Sequence, residues 1–209
     1  MSHVKKLSPL LTTHTIPSVP LRYRGVWRRT LLEAADVYDV ATNVLWMQTS
    51  RWHADLRIPA LRPDFSQVDS LAACNHEQLM WLAQQQGFAG VTEVDFASQA
   101  EICRWHRLVD FRPPAATPDA GCMTFEPTQL VETGVHAEYL EHWIRLSDTE
   151  SGFAVFKYDS DTSRPPRLLL IAGDAVMHVR ARPTDWPAEL PPDFDMMQLD
   201  DTALRMMLD

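Results

Sequence analysis

The feature that most constrains this chain is a run of short strand-like stretches placed in series, with little between them but turns. They lie near 21–33, 40–50, 52–58, 90–96, 100–111, 121–133, 137–147, 152–159, 166–172 and 175–182. In "WHADLRIP" (52–59), Trp52, Ala54, Leu56 and Ile58 alternate with His53, Asp55 and Arg57. Successive side chains of a strand point to opposite faces, so this is the period of a β-strand. Turn chemistry separates the stretches. "RPPAATPDAG" (112–121) carries three prolines, which a central strand does not accept. Gly173-Asp174 stands between two apolar runs, a tight-hairpin signal. About ten strands in series make an antiparallel meander. Closing it into a barrel removes the exposed edges that would otherwise pair with other chains.

One helix interrupts the strands. "NHEQLMWLAQQQG" (75–87) has Asn75 as N-cap, Gly87 as C-terminal stop, and Leu79, Leu82 and Ala83 on one face. A second, short helix is expected at 198–208, where Asp200 and Asp201 favour its start. The expected fold class is therefore mainly β: an antiparallel barrel of about ten strands with one inserted helix and a short C-terminal helix. Residues 1–209 read as one domain. It comprises an N-terminal arm (1–20), a linker and helix insertion (59–87) and a C-terminal tail (183–209), for which Met196-Met197 and Met206-Met207 supply packing.

"YRGVWRR" (23–29) opens the first strand, and Gly25-Val26-Trp27 resembles the G-x-W signature of lipocalins and their relatives, the calycins. The resemblance implies a lipocalin-like barrel with Trp27 at its closed end. It also implies a basic residue of the last strand across the indole. With "AVMHVRAR" (175–182) as the last strand, that residue is Arg180 or Arg182. The resemblance further implies a cavity for a small, mostly apolar molecule, although a few relatives are enzymes. The "GVWRR" start and the "ADLRIP" strand are also similar to a group of bacterial proteins with no assigned activity.

Composition narrows the function. A formal charge of −9 repels phosphate backbones, so nucleic acid is not an expected partner. No apolar run reaches the roughly 20 residues of a membrane helix, so no membrane partner is expected. The start "MSHVKKLSPLL" loses its apolar run too early for a signal peptide, and the three cysteines, Cys74, Cys103 and Cys122, form no C-x-x-C pair. Both suit a cytoplasmic protein. No metal or cofactor is expected. Cys103-x-x-His106 would be split between two faces of a strand, no histidine pair has ligand spacing, and seven glycines make no phosphate loop.

The candidate site follows from asking which faces look inward. His53, Asp55 and Arg57 share a face about 6.5–7 Å apart. If the helix at 75–87 covers Trp52, Leu56 and Ile58 from outside, the charged face turns into the barrel. Asp55 would then orient His53 or Arg57, and Arg57 would anchor an anionic or carbonyl group of a ligand. Trp105 and Arg107 share a face, as do Tyr139, Glu141, Trp143 and Arg145. Trp46 completes an aromatic lining, and Glu132 is a further acid across the barrel. A buried Glu141 would have a raised pKa.

The leading expectation is binding of a small amphipathic molecule by Trp46, Trp105, Tyr139 and Trp143 with His53, Asp55, Arg57, Arg107 and Glu141. Two alternatives stand beside it. One is an isomerase- or hydratase-type enzyme using His53 or Glu141 with Asp55. The other is an interaction protein whose barrel is filled by side chains. The sequence leaves open whether a reaction is catalysed, which ligand binds, and whether the chain forms a homodimer.

Overall fold

The computed structural model describes residues 16–96, 100–113, 115, 117–158, 167–187, 190 and 194–209. Most of the expected N-terminal arm (1–20) lies outside them. Its last residues are anchored: Ile16 and Val19 are buried, and the Val19 N–H donates to the Ser50 carbonyl at 2.8 Å.

Eight antiparallel strands close a barrel. They are β1 (Gly25–Ala34), β3 (Asn43–Gln48), β4 (Trp52–Ile58), β5 (Gln86–Asp95), β6 (Ile102–Asp110), β7 (Asp119–Phe125), β8 (Leu130–Gly134) and β9 (Tyr139–Arg145). Each pairs with the next in chain order, and β9 returns to β1 to complete the ring. The short β2 (Val37–Asp39) adds a lip to β1. The remaining strands, β10 (Ala154–Tyr158), β11 (Arg167–Ala172) and β12 (Ala175–Val179), form a separate three-stranded sheet. The fold is thus mainly β with a closed antiparallel barrel, as expected, and eight strands rather than about ten make its wall.

Two layers of apolar packing explain that division. Inside the barrel, Tyr23, Trp27, Trp46, Trp143 and Leu130 form a buried aromatic core. Outside, Val26, Met47, Ala54 and Ala89 on the wall meet Leu168, Leu170 and Ala172 on β11. Alanines on both sides let the second sheet come close. Gly173 makes the β11–β12 turn at a φ of 56°, and any Cβ there would collide with the Asp148 carbonyl. The middle of β4 is buried on both faces for this reason: His53 and Asp55 look inward, and Ala54 looks out beneath the second sheet.

The cover on β4 therefore differs from the sequence expectation. Trp52 packs against the second-sheet cluster, Leu56 is 40% exposed, and the helix covers none of them as a group. Helix α1 (His76–Gln84) instead packs Leu79 and Ala83 against Leu204 of α2 (Asp201–Leu208) and against Met196. α1 starts with a capping box between Asn75 and Gln78, and it ends before Gly87, which belongs to β5. Arg205 fastens α2 by donating to the Leu71 and Cys74 carbonyls at 3.2 and 2.7 Å.

The barrel floor corrects a second expectation. Trp27 is 3% exposed, and its indole N–H donates to the Tyr23 carbonyl at 2.7 Å. The cation over its ring is Arg145, with the guanidinium carbon 4.9 Å from the ring centroid. Neither Arg180 nor Arg182 takes that place. The last strand of the barrel is β9, not β12, so β9 delivers the basic residue. Arg182 stacks on Trp186 at 4.5 Å instead, and Arg180 is exposed beyond the end of β12.

Candidate functional site

Above the aromatic floor the barrel keeps a cavity of about 210 Å³. That is well above the ~30 Å³ share of one liquid water and below the roughly 300–1,000 Å³ of sites for drug-sized ligands. Trp46 and Trp143, 2% and 1% exposed, form its base. Arg57, Arg107 and Asp119 form its rim, with side chains 23%, 30% and 27% exposed.

Strand alternation supplies the walls. β3 points Trp46 inward and β6 points Trp105 and Arg107. β9 contributes Tyr139, Glu141 and Trp143, and β8 contributes Glu132. β4 points in His53, Asp55 and Arg57, so the charged face of "WHADLRIP" is the interior face. Its three members have different fates. Asp55 and Arg57 line the cavity. His53 is fully buried beside Phe88, its Nδ1 3.0 Å from the Thr92 hydroxyl, and is not part of the cavity lining. Burial holds its pKa down to about 3, so the ring stays neutral. His53 thus has the position of a packed core histidine rather than of a group facing a ligand.

Ion pairs organise the upper half. Arg29 donates to Glu141 and to Asp39, each at 2.6 Å. Arg57 donates to Asp55 at 2.8 Å, and its guanidinium also lies 3.9 Å from Glu141. Arg107 donates to Asp119 at 2.6 Å and to Asp110 at 2.9 Å, and it stacks over Phe88 at 3.5 Å. Burial raises the Asp55 carboxyl despite its arginine.

Glu132 stands apart. It is 4% exposed, faces Glu141 across the β8–β9 register, and accepts a hydrogen bond from the Tyr139 hydroxyl at 2.7 Å. No arginine comes within ion-pairing distance among the described residues. Burial, with the Glu141 charge beside it, pushes its pKa up to about 8. Of the two glutamates, Glu132 holds the proton, because Glu141 has a direct ion pair with Arg29 and lies nearer Arg57, whereas Glu132 has only the more distant attraction of Arg57. A glycine makes room for this acid: a Cβ at Gly121 would sit 2.7 Å from Glu132 Cγ. The indole N–H groups of Trp46 and Trp143 have no hydrogen-bond partner among the described residues.

Several of these residues escape the sequence reading. Arg29 follows Trp27 by two and so shares its inward face, a signal that was available. Leu32 also faces the cavity, but a bulge between Arg29 and Leu31 breaks the alternation that would have placed it. Asp119 sits in a Pro-rich stretch that reads as loop, and Phe88 falls between the expected helix (75–87) and the next strand-like stretch (90–96).

Cys103 is buried inside the barrel, whereas His106 points outward to Glu93 at 2.9 Å, as alternation requires. Among the described residues, no group of three or more His, Cys, Asp or Glu is placed to hold a metal ion. None of their helices is long and apolar enough to cross a membrane. The chain matches no family model, no curated protein and no solved structure.

Proposed function

We propose that this protein binds a small amphipathic molecule inside its barrel, as lipocalin-like proteins of the calycin group do. The cytoplasm is its proposed compartment. The observation that carries the reading is the cavity itself: an aromatic base beneath a ring of charged side chains. Apolar walls with a few convergent polar groups are the general form of a small-molecule site. Trp46, Trp105 and Trp143 hold the apolar body. Asp55, Arg57, Arg107, Tyr139 and Glu141 orient the polar end. The same open cavity weighs against a barrel filled by its own side chains. Acid–base catalysis, the alternative, is favoured by one observation: Glu132 and Tyr139 form a hydrogen-bonded pair of acids on the wall. It would use those two rather than His53.

The test is a thermal-shift screen of small fragments, with Leu32→Trp as the control that fills the cavity. Fragments are expected to stabilise the parent and leave the Leu32→Trp protein unchanged. If no fragment distinguishes the two, this reading falls.

A further inference from the structure

Around the cavity three guanidinium groups face six carboxyl groups. Arg29 is taken by Asp39 and Glu141, Arg57 by Asp55, and Arg107 by Asp110 and Asp119. Glu132 is the carboxyl left over, and it points into the same space. An anionic ligand entering here would add to a negative excess, and the arginines that could receive it are already engaged. A positive group would complete the set. The walls agree: indole faces attract cations, most strongly when water is excluded. A bare metal ion gains little from such walls, whereas an organic cation gains from both walls and acid.

We propose that the ligand of this cavity is an organic ammonium compound, seated against the tryptophans with its ammonium at Glu132, and that it enters in exchange for a proton. This rests on the binding role proposed above and names the ligand's chemistry. The exchange balances. The neutral Glu132 carboxyl releases its proton to solvent and becomes the carboxylate partner of the ammonium, and no covalent bond to carbon changes. The groups facing Glu132 set its direction. Asp119 on β7 and Glu141 on β9 disfavour a second negative charge there, Arg57 on β4 favours it, Tyr139 on β9 donates a hydrogen bond to it, and Cys103 on β6 is an uncharged thiol. An ammonium arriving at Glu132 reverses that balance.

The experiment uses three probes that differ only at one end: phenylethanolamine, its neutral counterpart phenylethylene glycol, and its carboxylate counterpart mandelate. Calorimetric titrations are run in buffers of different ionisation enthalpy. Phenylethanolamine is expected to bind the parent most tightly, to release close to one proton near neutral pH, and to bind about fifty-fold more tightly near pH 8 than near pH 6. Glu132→Gln, which keeps the acceptor for Tyr139, is expected to weaken it about tenfold and to abolish the proton release. The parent's pH dependence is read without any substitution, so the inference stays testable if that variant folds poorly. Preferred binding of mandelate, or amine binding without proton release, overturns the inference. Equal binding of all three that Leu32→Trp abolishes overturns it while leaving the binding role standing. Binding of none overturns both.

Discussion

The two halves of this barrel are built on the same strands and obey opposite rules. In the lower half Tyr23, Trp27, Trp46 and Phe125 meet edge to face or stacked, with ring centroids 4.9–6.5 Å apart, and the groups buried there are uncharged. In the upper half Asp55, Glu132 and Glu141 are almost as deeply buried, yet each needs a partner to stay there. The lower half is held by contact area, which is indifferent to pH and salt. The upper half is held by ion pairs, and one of its acids, Glu132, has no arginine partner among the described residues. The contrast teaches where to look for function: side chains that a well-packed core would have no use for are gathered at one level.

The largest expected effect is on the floor. Trp27→Ala removes an indole from a packed aromatic cluster and should cost about 3–5 kcal/mol, read from urea denaturation. Arg29→Met tests the upper half. It leaves Glu141 and Asp39 without their shared cation and should cost about 3 kcal/mol, with part recovered in Arg29→Met/Glu141→Gln. A double variant no better than the single would show that the charges do not work as a set.

Glu132 holds its proton to about 8 when folded, against 4.5 for an ordinary glutamic acid. Between those values the unfolded chain binds fewer protons than the folded one, so stability falls as pH rises and levels off above pH 8. The melting temperature should drop by several degrees across that window. Glu132→Gln should flatten that descent, and an unchanged slope in the variant would mean another group holds the proton. Gly121→Ala is next. Its methyl would press on Glu132, at about 1–2 kcal/mol by the usual cost of overpacking. The smallest effect is Arg145→Met, which gives up the cation over Trp27 and should cost about 1 kcal/mol in denaturant midpoint.

Much of the site was readable because alternation is strict where strands are regular. "WHADLRIP" and "YLEHWIR" alternate without a break, so Asp55, Arg57, Tyr139 and Glu141 could be named from spacing, although His53 on the same face packs away from the cavity. The sequence was less explicit where the period slips. The bulge after Arg29 hides Leu32, and another between Ala89 and Gly90 separates Arg107 from Asp110 by three residues on one face. What covers the outside of β4 was not legible either. Both a helix and a second sheet bury apolar residues, and nothing in Trp52, Leu56 and Ile58 distinguishes one cover from the other. The arginine over Trp27 depended on knowing that the wall closes at β9, a long-range fact that local pattern does not carry.

The seam between β1 and β9 also has a bearing on time. Arg29 and Glu141, which join across it, are 112 residues apart in the chain. Ends so distant meet late, because the entropy lost in bringing them together precedes any contact that compensates it. The cavity comes into being only when that seam shuts, so its occupant has nothing to grip while the chain is still assembling. A ligand is therefore expected to leave the refolding rate untouched and to slow unfolding, prolonging the life of a barrel it played no part in making.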